Sequence, residues 1–215
     1  ATKSVDVLTT VINGYGLSVE DASKISDQLI TTQNLGKTTV DELASSMGKV
    51  IPIASSANFG FEELAASYAV MTKNGVDTAE SGTYLKSMLN ELSKSGSETD
   101  KALRELTGKG FAELKEGGTS TSEILNMLSG YAEKNGKTLK DMFGSVEGGS
   151  AALMLARENG EEFNGVLAQM QDSAGATQKA YDEMTGTTGE KIKNSLNELK
   201  NTGIELGDTL SPLID

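Results

Sequence analysis

The same short chemical phrase cuts this chain at intervals of roughly 20 residues: a glycine that ends a helix, then a hydroxyl and a carboxylate that start another. Thr39-Val40-Asp41-Glu42 reads as a capping box, with the Thr39 hydroxyl accepting from the third amide of the helix and Glu42 reaching back to the cap amide. Ser18-Val19-Glu20-Asp21, Thr78-Ala79-Glu80-Ser81, Ser97-Glu98-Thr99-Asp100, Ser120-Thr121-Ser122-Glu123 and Thr138-Leu139-Lys140-Asp141 repeat it. Gly14 and Gly16, Gly36, Gly75, Gly96, Gly117 and Gly118, and Gly136 read as the stops of the preceding helices. The punctuation predicts helices of about 12 to 18 residues joined by tight turns.

Between the caps the apolar period is helical. Val19, Ala22, Ile25 and Leu29 share one face, and Val40, Leu43, Met47, Val50 and Ile51 another. Phe61, Leu64, Ala65, Tyr68 and Met71 form a third face, and Leu85, Met88, Leu89 and Leu92 a fourth. A lone short helix is marginal in water, so each face needs a partner. Pro52 falls inside the second pattern and predicts a kink, because its ring would clash with the Gly48 carbonyl. No stretch alternates convincingly as a strand, and Lys109 to Leu114 is the weakest helix. The side-chain pattern does not repeat as a solenoid would, and successive helical hairpins are expected. The fold class read from the residues is all-α: an irregular bundle of eight or more short helices, followed by a longer C-terminal helix.

The composition agrees. With 5 Phe, 5 Tyr and no Trp, small residues and Leu, Met, Ile and Val must fill the core, which suits thin helical layers. The absence of Cys and His removes disulfides, thiol nucleophiles, imidazole bases and Cys/His zinc sites. A formal net charge of −12 disfavours direct nucleic-acid binding, which calls for Lys and Arg against phosphates. No apolar run approaches the length that crosses a bilayer. No signal peptide is visible, and Ala1 already sits in helical pattern, so a piece of a longer chain is expected.

Two triplets invite a phosphate-loop reading. Gly136-Lys137-Thr138 needs a glycine five positions before Gly136, where Tyr131 stands; Gly36-Lys37-Thr38 has Thr31 at that place. Both read as a helix stop followed by a cap. Gly14-Tyr15-Gly16 lacks the third glycine and flanking strand of a dinucleotide fingerprint and reads as a turn. The pairs Glu62-Glu63 and Glu161-Glu162 point about 100° apart on a helix, and first-turn carboxylates already serve the helix dipole. No catalytic, cofactor-binding or metal-binding residue is assigned, and no enzyme activity is expected. Gly148-Gly149-Ser150-Ala151-Ala152 opens an apolar helix and reads as a close-packing surface, or alternatively as a contact for another copy.

After Gly175 the character shifts, which divides the chain into a helical core, 1–175, and a long amphipathic helix, 176–215. Ile192, Leu196, Leu199, Leu206, Leu210 and Leu213 follow alternating steps of four and three, a candidate coiled-coil seam with one gap at Gly203. The readings are a helix folded back on its own domain, or an oligomeric seam that runs on past Asp215.

Taken together, the block from Gly36 to Ser46 and Phe59 to Ala66, with Asn13-Gly14-Tyr15-Gly16-Leu17-Ser18 before it, resembles the core segment of tail tape measure proteins of long-tailed bacteriophages. Gly75-Val76-Asp77-Thr78-Ala79-Glu80, Leu89-Asn90-Glu91-Leu92-Ser93, Phe143-Gly144-Ser145-Val146-Glu147 and Ser173-Ala174-Gly175-Ala176-Thr177 carry the resemblance on. It implies a structural protein around which tail tube subunits polymerise, so that its length sets tail length. It further implies tail tube protein, tail assembly chaperones and other copies of itself as partners, and a part in DNA delivery. The resemblance places the protein in the virion tail after assembly in the bacterial cytoplasm. Some members carry a peptidoglycan-cleaving domain, for which no motif stands in this segment. A helical protein–protein interaction module outside any virion is the alternative. A continuous helix of this length would reach about 320 Å, at about 1.5 Å per residue. The repeated stops predict a folded body that adds far less length than that.

Overall fold

Short capped helices follow one another through residues 2–185, which the computed structural model describes. In chain order they are α1 (Thr2–Tyr15), α2 (Ala22–Leu35), α3 (Val40–Met47), α4 (Ile51–Ser56), α5 (Phe61–Lys73) and α6 (Thr78–Ser93). Then come α7 (Glu98–Thr107), α8 (Phe111–Glu116), α9 (Thr121–Lys134), α10 (Val146–Ala156), α11 (Glu161–Gln171) and α12 (Ala176–Thr185). Single 3₁₀ turns occupy Val19–Asp21 and Leu139–Met142. No strand occurs among the described residues, so the fold is all-α. Several helices are shorter than expected, down to the six residues of α4 and α8. The seam positions Ile192 to Leu213 lie outside the described residues.

The sequence from Leu64 to Thr72 contains no charge, and the fold is arranged around it. All of Phe61 and Leu64 to Thr72 is buried, so α5 is covered around its whole circumference and not on one face. Neighbours in sequence cannot cover a helix on all sides. The cover comes from α2 and α11 as well as α4, α6 and α10. The expected succession of hairpins therefore gives way to pairings between distant segments, above all α6 with α10 and α5 with α11. Each large side chain buried on α5 contributes about 1.5–3 kcal/mol of transfer free energy.

Small residues set how near the cover can come. Gly36 ends α2 with an extended backbone (φ −97°), so no left-handed turn requires glycine there. Its role is space: a Cβ would overlap the Thr72 hydroxyl and lie 3.1 Å from the Ala69 Cα. The other expected stops at Gly16, Gly75, Gly96, Gly118 and Gly136 do take positive φ.

Two local expectations are corrected. Pro52 does not kink a continuous helix. The chain turns after Met47, Val50 N–H donates to Met47 O at 2.8 Å, and Pro52 sits in the first turn of α4, where its missing amide costs nothing. Thr78 is not a cap either. Asp77 takes that position, and Thr78 is buried with its hydroxyl 2.7 Å from that of Thr38. The join between α10 and α11 was not foreseen at all. Glu158 (φ 51°), Asn159 (φ 58°) and Gly160 (φ 82°) are all left-handed, and the Asn126 amide braces the turn by donating to Asn159 O at 3.1 Å.

The caps at Thr39, Ser97 and Ser120 form as read, whereas Ser18 and Thr138 open only single 3₁₀ turns and no amide among the described residues donates to their hydroxyls. The Thr39 hydroxyl accepts from Glu42 N at 3.2 Å while the Glu42 carboxylate accepts from Thr39 N at 2.8 Å, and Ser120 with Glu123 does the same. The Ser120 hydroxyl holds the Glu123 carboxyl below its ordinary range, and the Thr138 hydroxyl does so for Asp141. For Glu113 the Gly110 amide is the main cause, followed by Arg104. Folded values lower than unfolded ones stabilise the fold above the ordinary carboxylate range, and that contribution disappears as pH falls through the folded values. Thermal melts followed by circular dichroism should show the midpoint falling steadily between about pH 5 and pH 3, with Glu123→Gln reducing the drop. In the same assay Gly36→Ala should destabilise by about 1–3 kcal/mol, because α5 cannot retreat from its cover.

Candidate functional site

The charged pairs singled out in the sequence are built into the frame. On α5, Glu62 takes Lys24 at 2.6 Å and the Gln28 amide at 3.2 Å. Glu63 turns the other way. One oxygen accepts from Gly60 N at 3.2 Å, and the other accepts from Lys115 Nζ at 2.7 Å and Thr121 Oγ1 at 2.6 Å. Lys115 and Glu63 are only 9% and 12% exposed, so this pair pins the α8–α9 region to the start of α5. Glu162 at the start of α11 accepts from Lys73 at 2.9 Å and Asn74 at 3.1 Å, and the Lys73 contact above all holds its carboxyl low. Glu62 and Glu63 diverge, and Glu62, Glu63 and Glu162 each have a structural partner.

The phosphate-loop triplets dissolve in the same way. Lys37 N–H donates to the Thr72 hydroxyl at 3.2 Å, and Thr38 bonds Thr78. Lys137 reaches Glu98 at 3.8 Å, and Thr138 caps its 3₁₀ turn. The Gly148–Ala152 stretch serves internal packing: a Cβ on Gly148 would lie 3.2 Å from Met88 N, so the backbones of α10 and α6 nearly touch. Met88 and Leu155, one from each helix, are both fully buried.

Two concavities lie outside the join between α11 and α12. A groove of about 520 Å³ runs between α3 and α6, lined by Lys37, Lys49 and Lys86 together with Asp41, Glu42 and Asp77. Equal numbers of each sign give it no preference for an anion. Its floor is a buried hydroxyl relay, in which Ser46 Oγ lies 2.8 Å from Tyr68 OH and donates to Thr78 O at 3.0 Å. Gly82 makes room for it, since a Cβ there would stand 2.7 Å from the Tyr68 hydroxyl. A second pocket, of about 500 Å³, lies among Tyr15, Ile25, Phe61 and Leu167, rimmed by the Lys24–Glu62 and Lys115–Glu63 pairs. The Tyr15 ring meets Phe61 edge-on at 6.0 Å between centroids. Its hydroxyl is buried with no partner among the described residues, and burial, aided by Glu63, raises its pKa. It therefore stays protonated and offers no base.

On the outer surface, Val146 (63% exposed) and Leu153 (44%) stand two turns apart on one face of α10. Among the described residues no group of acidic side chains is arranged to hold a metal ion, and no helix is long and apolar enough to cross a membrane. Sequence reasoning missed the Lys115–Glu63–Thr121 cluster and the role of Asp27 described below. Their partners lie 52, 58 and about 150 residues apart, and no local pattern announces them.

Most of the polar groups described above are spent on one another within the helical frame. The chain belongs to the family described as phage-related minor tail protein, whose pattern it matches over residues 1–144. It is 40% identical over 202 residues to the probable tape measure protein of Clostridium phage phiCD119, covering 91% of this chain and 21% of that protein. It is 25% identical over 103 residues to the tape measure protein of Pneumococcus phage Dp-1, covering 48% of this chain and 9% of that protein. The chain thus spans about a fifth of the first relative and about a tenth of the second. No solved structure matches it. The relatives are phage tail components, so the chain belongs to a tail-assembly setting.

The relay under the groove yields an ordered pair of effects. Tyr68→Phe removes one hydrogen bond and leaves Ser46 with Thr78, costing about 1 kcal/mol. Ser46→Ala strands the buried Tyr68 hydroxyl and costs about 2–3 kcal/mol. Urea unfolding of both variants should return that order. Lys115→Met should cost more than either, about 3 kcal/mol, because it leaves Glu63 charged and nearly buried.

Proposed function

We propose that this chain is a folded station within a tail tape measure protein: a compact unit in a much longer polypeptide whose full span sets tail length. What supports this is the family membership combined with the closed α5-centred body. A segment that served as ruler by extension would have no use for a helix enclosed on all sides. In this reading the parent protein contacts tail tube subunits, tail assembly chaperones and other copies of itself, assembles in the host cytoplasm, and ends in the virion tail. The chain takes no direct part in DNA binding and catalyses nothing. Glu42, Glu62, Glu63, Glu123 and Glu162 are occupied in caps and ion pairs, and the acidic balance opposes phosphate contacts.

Two measurements test this. Small-angle scattering of the isolated chain should give a radius of gyration not far above about 17 Å, the value for a globule of this length. A rod of several hundred ångströms would refute the folded station. Mass spectrometry of purified particles should find peptides of this chain in the tail at low copy number relative to the tube protein, and their absence from particles would refute the tape measure assignment. Incubation with peptidoglycan should release no soluble fragments.

A further inference from the structure

The last described helix is held differently from the rest. From Ala176 to Glu183 no side chain of α12 is fully buried: Ala176, Thr177, Ala180 and Tyr181 are half-buried, and the others are exposed. Its seat is α2. The firmest attachment described is polar and lies at its first turn. Asp27 of α2, only 6% exposed, accepts from Gly175 N through one oxygen and from Thr177 N through the other, both at 2.8 Å. The Thr177 hydroxyl adds a bond to Ser26 Oγ at 3.1 Å. A helix start leaves amides unpaired, and here a carboxylate from another helix closes two of them. Such charge-assisted bonds at the positive end of a helix are strong, yet both rest on one side chain and are lost together. The approach to α12 is a joint. Asp172-Ser173-Ala174-Gly175 links it to α11, with Ser173 buried as the anchor on the core side, Gly175 has φ +83°, and a gap of about 530 Å³ among Thr31, Ala168 and Asp172 leaves space beside its first turn.

We propose that α12 is a hinged helix, latched to the core by Asp27 and able to leave α2 as a unit while the core stays folded. The division expected between residues 175 and 176 is then a mechanical joint. A helix with few fully buried contacts opens at a small fraction of the global unfolding free energy, and one carboxylate is enough to bias it closed. The proposal does not depend on the tape measure reading, since it concerns only how this chain holds its own helix.

Hydrogen exchange of the whole chain, read by mass spectrometry, tests it. In the unaltered protein the amides of α12 should exchange at least about tenfold faster than those of α5. Asp27→Asn replaces one acceptor by a donor and should speed α12 by about a further tenfold while α5 and α11 stay unchanged. The chain has no cysteine, so Ser26→Cys with Thr177→Cys installs one disulfide across the latch. When oxidised it should slow α12 about tenfold relative to the reduced form, a comparison that holds even if the Asp27 variant folds poorly. The latch is refuted if α12 exchanges as slowly as α5 in the unaltered chain. It is equally refuted if Asp27→Asn loosens α5 and α12 alike, or if the oxidised staple changes nothing.

Discussion

Everything in this fold answers to the burial of α5 on all sides. A helix with one apolar stripe is satisfied by one neighbour, but a helix without a charge from Leu64 to Thr72 must be wrapped. That requirement draws α2, α10 and α11 across long stretches of chain to join α4 and α6. It also explains where small residues fall. Ala65, Ala66, Ser67 and Ala69 thin the central helix, and Gly36 lets the end of α2 lie against it. Glu63 at its start is the fixed point for Lys115 and Thr121, which ties the second half of the chain to the first.

Polar chemistry here is consumed by construction. The hydroxyl–carboxylate pairs that begin the helices spend their hydrogen bonds locally, while Ser46, Tyr68 and Thr78 spend theirs between helices. Such groups are expensive to bury unpaired and worth little more than a kilocalorie when paired, so their value lies in fixing which helices meet. Glu62, Glu63 and Glu162 are likewise each committed to neighbours.

Local chemistry made the elements legible, and distance hid their arrangement. Capping boxes such as Thr39 with Glu42 involve residues three apart, so the sequence displays them, and the all-α class followed. Pro52 was misread because a helix break and a helix kink leave the same local mark. What decided it was the turn after Met47 together with the tolerance of a first turn for proline. Thr78 resembled a cap because its tertiary partner, Thr38, lies 40 residues away. The all-round burial of α5 was in principle visible as its uncharged run, which a search for one apolar face passes over. The Lys115–Glu63 and Asp27 attachments had no signal, since each joins ordinary surface residue types across the fold.

The two ends of the described chain share a support. Both α1 and α12 touch α2, with α1 resting also on α3 and α4. Tension applied along the polypeptide from either side therefore reaches the periphery first and works by peeling, one contact after another. Peeling demands less force than sliding packed helices past each other, because few contacts bear the load at any moment. At Tyr15, against Phe61, the first helix hands that load directly to α5. Drawn from its ends, such a chain would give up its outer helices before its enclosed one.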